Sequence, residues 1–143
     1  MNSRHRVTSG VAAAVLLVLA LSGCGTSQRG WIADKYTRDG SGYRSAKPPP
    51  AVAAEINKKF KPIDRVDDLA MRGAAGGIFL RYPKLVVGVL PVGTGSRITV
   101  DQPRGGFNRY YSHVSGRWSS PGSNGWTSRG TASFRGGGPG SGK

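Results

Sequence analysis

The chain has 143 residues, of which 21 are Lys or Arg and 7 are Asp or Glu, giving a formal net charge of +14 at pH 7. This length suits one small domain and leaves no room for a second. The single cysteine, Cys24, excludes an intrachain disulfide framework and a cysteine-based structural zinc site. Stability must therefore come from a modest apolar core.

The N-terminal segment has the features of an export signal. Arg4 and Arg6 precede an apolar run over residues 11–22, which is well short of the roughly 20 residues that a membrane-spanning helix needs. We therefore expect residues 1–23 to be a cleaved signal peptide. Its removal leaves 120 residues, in which 19 basic residues stand against seven acidic ones.

The end of this signal, Leu21-Ser22-Gly23-Cys24, matches the lipobox of bacterial lipoproteins at every position. The resemblance implies a diacylglycerol on the Cys24 sulfur, cleavage before Cys24, and a lipidated tether over residues 24–30. Two acyl chains, at about 0.8 kcal/mol per buried methylene, hold a protein stably on a membrane. The alternative is an ordinary secreted protein with a chance cysteine, which would be an exposed reactive thiol.

Two short helices are predicted after the tether. In GWIADKYT, Ile32 and Tyr36 lie four residues apart with Trp31 beside them, and glycines follow. The next segment, RDGSGYRSAKPPP, is basic and turn-rich. In AVAAEINKKF, Val52, Ile56 and Phe60 recur every four residues after three prolines, which predicts the second helix.

The chain then changes to a strand pattern. The segments GIFLRY, LVVGVLPV, SRITVDQ and FNRYYSHV are rich in β-branched and aromatic residues and are separated by turn residues. They predict an antiparallel meander of three or four strands with the two helices on its apolar face. LVVGVLPV is apolar on both sides and is the predicted central strand. The expected architecture is a single α+β domain over residues 31–114.

Residues 115–143 are predicted to form a flexible cationic tail. Glycine, serine and proline dominate this segment, and its four charged residues are all basic, so it buries too little apolar surface to offset its ordering entropy. Trp118, Trp126 and Phe134 are exceptions, spaced eight residues apart. They predict either contact points on a flexible arm or side chains that dock back on the domain.

The closing segment GGPGSGK, residues 137–143, matches the phosphate-loop pattern G-x-x-x-x-G-K. A working phosphate loop follows a buried strand, opens a helix and carries Ser or Thr after the Lys. No Ser or Thr follows Lys143 in this sequence. We therefore expect no nucleotide binding here.

Basic and aromatic residues alternate in RGGFNRYYSHVSGRW, and a second RGG segment begins at Arg135. Such segments bind nucleic acid through stacking and charge, but an exported protein would meet lipid headgroups or wall polymers instead. Packing inside a strand is the alternative for the aromatic residues. The candidate anion-binding residues are Arg104, Arg109, Arg117, Arg129, Arg135 and Lys143.

The sequence offers little material for catalysis. His113 is the one histidine outside the signal segment, and no G-x-S-x-G motif accompanies it. Asp64, Asp67 and Asp68 lie in DRVDD, which lacks the spacing of a calcium loop and is predicted to be a solvated turn. We expect no catalytic residue, no cofactor and no bound metal.

Three features together carry a family resemblance: the lipobox, the GWIADKYT and DGSGYRS segments with PPPAVAAEI, and the FLRY strand with a basic region ending in FRGGGPGSGK. Over nearly the whole chain they resemble the bacterial lipoproteins of domain of unknown function 4247. This resemblance implies a small exported protein of Gram-positive bacteria with no established activity. Cys24 is the only position to which it assigns a role.

These observations predict a non-enzymatic lipoprotein on the extracytoplasmic face of the cell membrane. Its expected partners are the membrane lipid that holds Cys24 and an anionic lipid, a wall polymer or a membrane protein, with no nucleic acid. The alternative is a small exported hydrolase that uses His113.

Overall fold

The computed structural model describes residues 27–69 and 76–127, together with the backbone of residues 130–131. The predicted signal peptide, Cys24 and the next two residues of the predicted tether lie outside the described residues, whereas residues 28–30 of that tether are helical. Arg129, Phe134, Arg135 and Lys143 also lie outside the described residues. In the described parts of the chain, no helix is long and apolar enough to cross a membrane.

Two helices lie in the segments for which helices were predicted. Helix α1 spans Gln28–Lys35. Its N-cap is Ser27, whose side chain accepts a hydrogen bond of 3.1 Å from the backbone N–H of Gly30. Helix α2 spans Pro49–Lys59, with proline in the first turn, where its missing N–H has no intrahelical role. Helix α1 buries Ile32, and α2 buries an apolar stripe that includes Val52 and Ile56.

A six-stranded, fully antiparallel sheet forms the middle of the domain, in the order β1-β2-β6-β5-β4-β3. The α+β class and the antiparallel sheet are therefore confirmed, but the sheet has more strands than the predicted three or four. The strands are β1 Thr37–Asp39, β2 Gly42–Ser45, β3 Asp64–Asp68, β4 Gly77–Arg81, β5 Val86–Val92 and β6 Gly95–Asp101.

The additional strands come from two segments that were interpreted as turns. In the first, Gly40 adopts a φ of +60°, which allows β1 and β2 to form a hairpin within the turn-rich segment. The second is the predicted solvated turn DRVDD, which is instead edge strand β3 and pairs with β4 along its whole length. Its alternate carboxylates, Asp64 and Asp68, bind side chains of the C-terminal segment and so have partners on the covered face.

Both faces of the sheet are covered. On the first face, α1 and α2 pack against alternate strand residues such as Leu80, Val87 and Ile98. On the second face, the intervening residues, including Phe79 and Val86, meet the segment that follows β6. Burial on both faces explains why the central strands are apolar on both sides.

The prediction of a fourth strand in FNRYYSHV is wrong, because this segment contributes to two short helices. Helix α3 spans Pro103–Arg109 and α4 spans Tyr111–Val114. Phe107, Tyr110 and Val114 have helical spacing and are all buried on the second face. Tyr110 lies across Gly88 of β5, where an added Cβ would come within 2.5 Å of the Tyr110 hydroxyl oxygen.

The predicted boundary at Ser115 does not hold for residues 115–127. Trp118 and Trp126 are only 2% and 1% exposed, so both dock on the domain. The Trp126 backbone N–H donates to the Pro83 carbonyl at 3.1 Å, and its ring N–H donates to the Ser119 carbonyl at 2.8 Å. A small hairpin follows, with β7 at Trp126–Thr127 and β8 at Gly130–Thr131. The apolar surface that the two tryptophans bury offsets the entropy lost when this glycine-rich segment becomes ordered.

Candidate functional site

Most acidic side chains of the domain form ion pairs, whereas most basic side chains in the described ranges do not. All seven acidic residues of the chain lie in the described ranges, together with fifteen Lys and Arg residues. Six of the seven carboxylates form an ion pair, five with Lys or Arg and one with His113. Ten of the fifteen basic side chains in the described ranges therefore have no carboxylate within ion-pair distance.

Three of the predicted anion-binding residues lie in the described ranges, and they do not form one site. Arg109 bonds to Asp101 at 3.1 Å. Arg117 donates a bidentate pair of hydrogen bonds to the Asp64 carboxylate, 2.7 Å long from the Arg117 Nε and 2.9 Å long from the Arg117 Nη2. Arg104, by contrast, is exposed and has no carboxylate partner. Of these three arginines, only Arg104 is free to bind an external anion without losing an internal partner.

A cleft of about 430 Å³ surrounds Arg104 on the side of the sheet that carries α3. Lys84, from the β4–β5 turn, supplies a second cation, and Gln102, Ser123 and Asn124 supply polar side chains. The arrangement suits an anionic group because two cations and several hydrogen-bond donors face one cavity. Lys84 is not among the residues predicted from sequence, because it lies twenty residues before Arg104, in a segment interpreted only as a turn.

Asp64 connects the C-terminal segment to the edge of the sheet. It accepts hydrogen bonds from Arg117 and, at 3.0 Å, from the ring N–H of Trp118. The Arg117 hydrogen bonds are the main cause of a pKa of Asp64 below its ordinary value. This cluster is well suited to holding Trp118 in place.

A buried cation lies beside this cluster. Arg81, directly opposite Asp64 in the β3–β4 pairing, is 9% exposed. Its guanidinium carbon is 5.8 Å from the ring centroid of Trp118 and 5.7 Å from that of Trp126, while its Nε has no hydrogen-bond partner. Burial lowers the pKa of Arg81. The two indole rings lie within cation–π distance of the guanidinium, and Asp64 adds a favourable charge interaction.

His113, the candidate base of the alternative interpretation, also has a partner on β3. Its Nδ1 lies 2.7 Å from an Asp68 carboxylate oxygen, and its ring centroid is 5.0 Å from that of Phe79. The side chain is only 9% exposed. A carboxylate that orients a histidine is one half of a hydrolytic site, but here the pair also fastens α4 to the sheet edge.

Fold and charge together define a small α+β domain in which helices cover both faces of the sheet and most basic side chains of the described residues have no carboxylate partner. The chain matches the family model described as "Domain of unknown function (DUF4247)" over residues 16–143. The protein therefore belongs to the DUF4247 family. Comparison with curated proteins and with solved structures gave no match.

Proposed function

We propose that this protein is a non-enzymatic lipoprotein, held by a diacylglycerol on Cys24 at the extracytoplasmic face of the cell membrane. Its role is interaction or maintenance within the envelope, through contact with anionic lipid, wall polymer or a membrane protein. Leu21-Ser22-Gly23-Cys24 supports the lipid attachment. The family supplies no activity against which to weigh this role.

One observation carries the proposal: most acidic residues already form ion pairs within the domain. Six of the seven carboxylates have a basic partner within the domain. The exposed cations that lack a carboxylate partner are therefore available to external anions. The cleft with Lys84 and Arg104 concentrates two of them. A surface of this kind attracts anionic polymers and membranes through summed charge.

A small hydrolase using His113 is the alternative. The distance between His113 and Asp68 favours it, since the carboxylate would fix the imidazole tautomer. Burial and the contact with Phe79 favour a structural role, because a general base must reach a substrate proton. The contacts of His113 therefore give more support to the non-enzymatic proposal.

Salt-dependent retention on an anionic matrix tests the proposed contact. We expect the full protein, purified in detergent, to bind phosphocellulose at low salt and to elute as screening increases. The Debye length falls from about 10 Å at 0.1 M to about 3 Å at 1 M salt, so exposed charge contacts are lost across this range. An uncharged cellulose column is the control. Failure to bind at low salt, or retention that salt does not change, would contradict the proposal.

A further inference from the structure

We propose that the face of the domain formed by α1 and α2 docks on the anionic phospholipid surface of the membrane, through a lysine–tryptophan patch made of Trp31, Lys35, Lys58 and Lys59. The inference rests on the lipid attachment proposed for Cys24. It adds a membrane-facing surface and an orientation of the domain.

The patch surrounds a concavity of about 320 Å³ between the two helices. Trp31 of α1 is half-buried, and its ring packs edge-on against Phe60 with centroids 5.7 Å apart. The Lys35 Nζ lies 5.6 Å from the Trp31 ring centroid. Lys58 and Lys59, from the last turn of α2, are exposed on the same concavity. A half-buried indole and three exposed lysines therefore line the same concavity.

The one acidic residue that lines the concavity, Glu55, already has partners outside the patch. One of its carboxylate oxygens pairs with Lys47, and the other accepts a hydrogen bond of 3.0 Å from the Tyr36 hydroxyl. The Lys47 hydrogen bond is the main cause of a pKa of Glu55 below its ordinary value. Among the described residues, Lys35, Lys58 and Lys59 have no carboxylate within ion-pair distance. An approaching phosphate therefore does not have to displace an internal partner from them.

Chain length places this patch close to the membrane surface. Ser27, the residue that caps α1, is three residues after Cys24, so the two Cα atoms can be at most about 11 Å apart. One turn of helix, about 6 Å, separates Ser27 from Trp31. Acyl chains on Cys24 would hold the Trp31 backbone within about 17 Å of the anchored residue, and so keep the patch at a high effective concentration of headgroups.

The residue types suit the surface of a bilayer rather than its interior. Tryptophan favours the headgroup region, where its apolar ring and its N–H are both satisfied. Each lysine next to an anionic leaflet strengthens binding by a factor of about five. Docking through this patch leaves the opposite face of the sheet, with the Lys84 and Arg104 cleft, turned away from the membrane and towards the wall.

Quenching of tryptophan fluorescence by brominated lipid tests the docking. The full lipidated protein is reconstituted into vesicles of equimolar brominated phosphatidylcholine and phosphatidylglycerol. We expect Trp31 to be quenched, because Trp118 and Trp126 are almost fully buried on the other side of the sheet. Trp31→Phe should abolish the quenching. In Lys35→Glu/Lys58→Glu/Lys59→Glu the ratio of docked to undocked protein should fall by at least about a hundredfold.

The matched control is Arg38→Glu/Arg44→Glu/Arg97→Glu, which changes the net charge equally at three exposed cations outside both the patch and the Lys84 and Arg104 cleft. It should retain the wild-type quenching, and far-UV circular dichroism should be unchanged in both triple variants. Equal loss in both variants, or wild-type quenching in the patch variant, would overturn the docking proposal while leaving the lipid attachment intact. A protein without lipid would fail earlier, at the intact-mass check of the starting material, and would refute the attachment itself.

Discussion

Replacing Trp126 with alanine is expected to lower the free energy of unfolding by about 3–5 kcal/mol, the range for removing a buried aromatic side chain. Trp126 is 1% exposed and lies edge-on to Trp118, with ring centroids 6.0 Å apart. Its ring N–H donates to the Ser119 carbonyl. The substitution would leave a cavity beneath the C-terminal segment and would remove one of the two indoles that face Arg81.

Urea denaturation followed by far-UV circular dichroism measures this loss. The matched control is Tyr111→Ala, because Tyr111 is also aromatic and on the same side of the sheet but is 58% exposed. We expect the control to cost less than about 1 kcal/mol. If Trp126→Ala were no more destabilising than Tyr111→Ala, residues 115–127 would not belong to the cooperative fold.

Replacing Asp64 with alanine should cost about 1–3 kcal/mol, the range for leaving a buried hydrogen-bond donor unpaired. This carboxylate is mostly shielded from solvent and accepts three hydrogen bonds from Arg117 and Trp118. Its loss leaves the Trp118 ring N–H without its partner and Arg81 without its nearest compensating charge. The control is Asp67→Ala on the same strand, where an exposed pair with Arg65 should contribute less than about 1 kcal/mol.

The effect of Asp64 should depend on pH in a defined direction. Its pKa is lowered in the folded protein, so it contributes stability above its unfolded pKa and loses that contribution as the pH falls through the folded value. We therefore expect the stability gap between wild type and Asp64→Ala to be constant near neutral pH and to narrow below about pH 4. A gap that stays constant into acid would mean that the ionised carboxylate is not the stabilising group.

The sheet could be predicted from sequence where one strand pattern dominated. The alternation of Ile98 and Val100 with Arg97 and Thr99 places the first pair on the α1/α2 side of the sheet, as the structure does. The apolar character of LVVGVLPV on both sides also indicated burial on both sides. That observation implied a second covering layer, which the prediction of helices on one face did not provide.

The second layer was missed because aromatic residues favour strands as well as cores. In FNRYYSHV, the spacing of Phe107, Tyr110 and Val114 is helical, but the density of aromatic residues outweighed it. The DRVDD segment failed for a related reason, because acidic residues are rare in strands. Here the partners of Asp64 and Asp68 are supplied by residues more than forty positions away, which local patterns cannot reveal.

The surface sites depend on the same long-range information. Sequence alone identified Arg104, Arg109 and Arg117 by their proximity in the chain, but two of them are committed to internal carboxylates. Lys35 and Lys59 are brought to one concavity by the packing of α1 on α2. Only the pairing of charges in the folded domain separates the basic residues that are free from those that are occupied.

Intact-mass analysis of the membrane fraction tests the lipid attachment most directly, with wild type and Cys24→Ala measured side by side. We expect a mature wild-type chain that begins at Cys24 and carries the mass of a diacylglycerol, and the loss of this species in the variant. An unmodified wild-type chain, found in the soluble fraction or cut at another position, would contradict the proposed attachment and the orientation that depends on it.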